Sequence, residues 1–140
     1  SAEAWLAVWL AAAAAAVAIG AAAMARKARR SGTDLFSGPA RRFLLTLTPP
    51  LAAGAVLTFA LERSGRVDLL PGVWLLLYGT AVVTGGAMSV RPVLALGVLF
   101  MVLGAAALAS PASWGTAYLA AGFGVLQIVF GALIWRRHGG

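Results

Sequence analysis

Residues 43–62 read FLLTLTPPLAAGAVLTFALE. About 20 apolar residues, each rising 1.5 Å, cross the hydrocarbon core of a bilayer. This stretch has that length, and its one charge, Glu62, stands at the end, so it reads as a membrane helix. It also holds Thr46, Thr48 and the pair Pro49–Pro50. Proline has no backbone N–H and clashes with the carbonyl four residues back. The ladder is therefore interrupted where no bulk water can repair it. Two readings are open. In one, the helix starts near Arg42 and kinks at the prolines. In the other, Thr48 is an N-cap and Pro49 the first helical residue, a position proline favours. The second leaves 49–61 as helix, about 20 Å and too short to span, with 43–47 re-entrant or interfacial. The kink is preferred, because membrane helices tolerate proline kinks.

Four more apolar runs flank this one, at 2–25, 69–88, 93–109 and 116–135. Of the 140 residues 61% are hydrophobic and 11% charged, where a soluble domain carries about 25% charged residues. Mean hydropathy is +0.92. The apolar residues come in long runs, not in stripes of period 3.6 or 2, which marks bilayer-embedded helices. The expected fold is all-α, a bundle of five transmembrane helices forming a single membrane domain. Between the runs lie a Gly/Ser/Pro-rich loop at 31–40, a mixed-charge loop at 62–68, a tight turn at 89–92 and an uncharged turn at 110–115. Pro71 falls in the first turn of the third helix, as proline prefers.

A cleaved signal peptide carries its positive charge before the apolar region. Here Arg26, Lys27, Arg29 and Arg30 follow it, so the first run is read as a retained helix with Trp5 and Trp9 at the outer interface. Its alanines favour close packing on a neighbour over lipid contact. Nine Lys and Arg residues fall on one side of the five spans (26, 27, 29, 30, 41, 42, 91, 136, 137) and two, Arg63 and Arg66, on the other. The positive-inside rule then puts the N-terminus outside and the C-terminus in the cytoplasm, as a multi-pass protein of the inner (plasma) membrane. The cluster Arg26, Lys27, Arg29, Arg30, Arg41 and Arg42 suits anionic lipid headgroups, at about 1 kcal/mol per residue near the surface; its plainer role is topology alone. Nucleic acid is not an expected partner, because the loop has no room for a recognition element.

The candidate pathway residues are Thr46, Thr48, Pro49, Pro50, Tyr78, Thr80, Thr84 and Gln127. Interrupted helices expose free carbonyls at membrane depth, where several transporters bind cargo. Thr80 and Thr84 share a face, with Tyr78 on an adjacent one; as a functional site they would line a polar path beside the second helix. The plainer alternative has each threonine bonded back to its own preceding turn. On the fifth helix Thr116, Ala120, Gly124, Gln127 and Gly131 form a stripe at helical spacing, expected to be a packing face. Gln127 is the one side-chain amide in the chain. Near mid-membrane it needs a partner, either a ligand, a neighbouring helix or its own symmetry mate. Gly97 and Gly104, seven apart on the fourth helix, are expected to pack.

Enzyme chemistry is not expected. The one histidine, His138, lies in the tail, and Glu3, Asp34, Glu62 and Asp68 are scattered through loops and span ends. No metal-ligand spacing, nucleophile–base pair or phosphate loop occurs, no cofactor is implied, and cysteine is absent. No span holds a charge in its interior, which argues against a proton relay. In general character, with short Ala/Gly-rich helices and tight turns, the chain resembles small multi-span bacterial membrane proteins, and no motif carries a functional residue across. Two function classes stand. The favoured one is a channel or transporter for a small solute or ion. The other is an accessory, regulatory or scaffold membrane protein that binds a partner protein or lipid. A bundle this small encloses little volume, so a homo-oligomer or a subunit of a larger membrane complex is expected.

Overall fold

The computed structural model describes residues 1–32, 34, 38–87 and 90–138. The loop expected at 31–40 and the turn at 89–92 fall partly outside these residues, as does Met88 at the end of the third run. Five helices carry the fold: α1 (Ala2–Ser31), α2 (Gly38–Arg63), α3 (Leu70–Gly86), α4 (Arg91–Ala109) and a helical stretch α5 (Ala112–His138). No strand occurs among the described residues. Each of the five is long and apolar enough to cross a membrane. The chain divides into two compact units, Ser1–Arg42 and Phe43–Gly140.

In the first unit, α1 runs six residues beyond the expected end at 25. Arginine and lysine are good helix formers, and Arg29 and Arg30 in the last turn offset the negative end of the helix dipole. The helix stops at Gly32, whose φ of 65° is left-handed and whose N–H donates to the Ala28 carbonyl. At the other end the Ser1 hydroxyl accepts from the Ala4 N–H at 3.1 Å, an N-cap bond. Trp5 and Trp9, one turn apart, bring their ring centroids to 6.3 Å.

The helix α2 is continuous through Pro49 and Pro50, so the prolines do not start it and 43–47 belongs to the same helix. It begins earlier than expected, at Gly38. The carbonyls of Leu45 and Thr46 are those that lose a backbone donor when residues 49 and 50 are prolines.

The second unit is organised around α3, which has the largest buried share of any span. Gly72, Gly79 and Gly86 recur every seven residues and so share one face, two turns apart. That face meets Gly97 and Gly104 of the antiparallel α4. A Cβ added at Gly79 would lie 2.7 Å from the Gly97 carbonyl oxygen, and one at Gly97 would lie 3.0 Å from the Gly79 oxygen. The same reciprocity holds for Gly72 and Gly104, at 3.0 Å each way. The two backbones therefore touch directly, with carbonyls set for Cα–H···O contacts. α5 lies parallel to α3. Its Gly115 sits against Pro71, and its Gly122 against Leu75 and Phe100. Leu70, Leu75, Val82, Leu96, Phe100 and Leu119 are buried in the resulting core.

Trp74 ties α2 to this core. Its indole lies on Gly54, where an added Cβ would come within 2.8 Å of the ring. Its Nε1–H donates to Thr58 Oγ1 at 3.0 Å, and that hydroxyl donates on to the Gly54 carbonyl at 2.7 Å. Thr58, 8% exposed, is thereby fully partnered.

Substituting Gly79 by leucine forces a side chain into backbone that cannot yield. A loss of about 3 kcal/mol or failure to fold is expected, at the top of the overpacking range. Gly124→Ala, where a Cβ meets no atom within 4 Å, is expected to be neutral or to stabilise by up to about 1 kcal/mol. Thermal unfolding of detergent-solubilised monomer compares the two.

Candidate functional site

Beside the Trp74–Thr58 tie, polar side chains meet across the bundle at Tyr78 of α3 and Gln127 of α5. Gln127 Nε2 donates to the Tyr78 hydroxyl at 2.6 Å. Each lies near the middle of its span by residue count. Two rings, those of Phe100 and Phe123, pack against the phenol. The centroids of Tyr78 and Phe100 are 4.7 Å apart, those of Tyr78 and Phe123 5.0 Å, and those of Phe100 and Phe123 5.0 Å. Phe100 is 0% exposed and seats the cluster on α4.

Gln127 reaches Tyr78 because α5 is not a uniform α-helix. Residues Ala120–Leu126 form a π-helical segment, in which each turn holds an extra residue. An α-helix advances about 100° per residue, so after Gly115, Leu119 and Gly122 the next residue on the α3 face would be Leu126. The widened segment takes up one residue more and brings Gln127 to that face. Segments of this kind occur frequently at functional sites.

The other expected pathway residues do not join this pair. Thr80 follows Tyr78 by two residues, about 200° round the helix, and Thr80 and Thr84 are exposed. Each bonds its own helix: Thr80 Oγ1 donates to the Leu76 carbonyl at 2.8 Å, and Thr84 Oγ1 to the Thr80 carbonyl at 2.8 Å. Thr48 is exposed and donates to the Leu44 carbonyl at 2.7 Å. Thr46 and Pro50 are half-buried and Pro49 is exposed. The stripe expected to pack on α5 is open. Thr116, Ala120 and Gly131 are exposed, and an added Cβ at Gly124 or Gly131 meets nothing within 4 Å. Gly115, Leu119 and Gly122 pack instead. The basic residues Arg26, Lys27, Arg29, Arg30, Arg41 and Arg42 are all exposed, within the first unit.

Sequence reasoning did not find the Trp74–Thr58 tie, Phe100, Phe123 or the π-segment. The seven-residue spacing of Gly72, Gly79 and Gly86, which matches that of Gly97 and Gly104, was the available signal for the α3–α4 contact. No protein-family model, curated protein or solved structure matches this chain, so the chemistry of the site is read from its own residues. An amide and a phenol packed among aromatic rings supply hydrogen bonds. They supply neither a charge nor a nucleophile with a base.

A double-mutant cycle on Tyr78→Phe and Gln127→Leu is expected to give a coupling of about 0.6 kcal/mol, within a ceiling of about 1.7 kcal/mol for such bonds in membrane bundles. Deleting Ala121 removes the extra residue while keeping Gln127 on the α3 face. It is expected to cost far less than deleting Leu103, which turns Gly104 away from Gly72. Unfolding midpoints of the two deletions test the widened turn.

Proposed function

We propose that this chain is a non-transporting accessory or scaffold protein of the inner (plasma) membrane. Its N-terminus is outside, its C-terminus is cytoplasmic, and its outward helix faces bind a partner or lipid. The observation that carries this reading is the use made of the polar groups. The hydroxyls of Thr48, Thr80 and Thr84 are spent on carbonyls of their own helices, and the Gln127 amide is engaged with Tyr78 across the bundle. A pathway for a small solute needs such groups to converge on a common surface, and these are dispersed over separate faces. The centre of the second unit is filled by rings and by helices in backbone contact. The uneven distribution of Lys and Arg along the chain supports the orientation. In this reading the prolines kink α2, and the exposed basic cluster at 26–42 lies at the cytoplasmic headgroups, where anionic lipid is held.

The permeation reading, favoured on sequence alone, makes the opposite forecast in one assay. Proteoliposomes containing the purified protein are expected to pass ions, glycerol and urea no faster than protein-free vesicles. A selective flux that Thr48→Val, Thr84→Val or Gln127→Leu abolishes would return the protein to the channel or transporter class.

A further inference from the structure

We infer that Arg26, Arg29 and Arg30 form a three-arginine clamp on the phosphate of one anionic phospholipid. The inference rests on the lipid contact proposed above, and names the residues that make it and the group they hold. The three stand at i, i+3 and i+4 on α1, so they are neighbours on one face. All three are exposed, while Met24 and Ala28 on the opposite side are half-buried. None of the three has an ion pair or hydrogen bond among the described residues. The acidic residues of the first unit are Glu3, at the far end of the helix, and Asp34, which has a partner of its own. Like charges at these spacings weaken a helix, yet α1 continues through them to Ser31. An anion seated between the three side chains turns that repulsion into attraction.

Depth and surroundings make the anion a lipid headgroup. The triplet begins where the apolar run ends at Ala25. From Arg26 to Arg30 the helix rises about 6 Å, the thickness of about one headgroup layer. The same face is apolar and open toward the membrane interior: Ala22 and Ala23 are exposed, and Ile19 is 71% exposed. The small alanines leave room for an acyl chain along the helix, a surface that free phosphate does not use. The residue type points to the phosphate itself. A guanidinium fork pairs with phosphate through two parallel hydrogen bonds, whereas the lysine ammonium acts as a point charge. The plainer tasks of a basic cluster, marking the cytoplasmic side and offsetting the helix dipole, are met as well by lysine.

That difference supplies the test. Full-length protein in an uncharged detergent is titrated with phosphatidylglycerol or phosphatidylcholine, and bound lipid is counted by native mass spectrometry. The wild type is expected to hold one phosphatidylglycerol at least tenfold more tightly than phosphatidylcholine. R26K/R29K/R30K keeps the charge, the helix and the topology signal, and is expected to bind phosphatidylglycerol at least fivefold more weakly. R136K/R137K, at the end of α5, is expected to bind it as the wild type does. Undiminished binding by the first variant, an equal loss in the second, or equal affinity for the two lipids would overturn the inference. So would displacement of the lipid by excess inorganic phosphate, which would make the ligand a soluble anion. The readout involves neither flux nor a partner protein. Its failure therefore leaves the scaffold reading standing, and a flux in proteoliposomes leaves the clamp standing.

Discussion

The second unit depends on the backbone contact between α3 and α4. Within a bilayer the hydrophobic effect does not drive helices together, because lipid tails are as apolar as leucine. What remains is dispersion, which is weak per atom pair and falls off within an ångström of lost contact. Gly72, Gly79, Gly97 and Gly104 remove the side chains that would hold two helices apart. With α4 that close, Phe100 is inserted between α3 and α5, and the ring of Tyr78 gains its two aromatic neighbours. The position of the amide follows from that of the phenol.

A second constraint is the scarcity of partners for polar groups. A serine or threonine hydroxyl on a helix has a local solution within four residues, and Thr58, Thr80, Thr84 and Ser110 all take it. Two of these serve a second purpose. Thr58 also receives the Trp74 indole, and Ser110 also meets the Tyr118 hydroxyl at 2.8 Å. Polar side chains here both quiet their own helices and join neighbouring elements. Gln127 has too long a side chain for the local solution, and α5 departs from regular α geometry where the amide is brought into place.

The spans were legible because run length and hydropathy are properties of consecutive residues. The ends were less so. α1 continues through Arg29 and Arg30 because charge ends a membrane run without ending a helix. The packing face of α4 was legible from Gly97 and Gly104. That of α3 was not, since three spaced glycines are easily lost among 17 in the chain. Tyr78 and Gln127 were each marked as candidates, but their pairing spans 49 residues of sequence and depends on a widened turn that no residue type announces. The back-bonding of the threonines was legible, because a hydroxyl on a helix finds the carbonyl four residues back whatever the neighbouring helices cover.

The heptad spacing of the glycines makes the α3–α4 alignment degenerate. In the fold, Gly72 faces Gly104 and Gly79 faces Gly97. Sliding one helix by seven residues, about 10.5 Å, would set Gly79 against Gly104 and Gly86 against Gly97, again two glycine pairs. Backbone contact therefore does not choose between the two alignments. The side chains seated beside the glycines do: Val93 lies on Gly86 and Leu108 on Gly72, and the slide would part both while shortening the overlap of the two helices. In this hairpin the glycines supply adhesion, and their side-chain neighbours supply uniqueness.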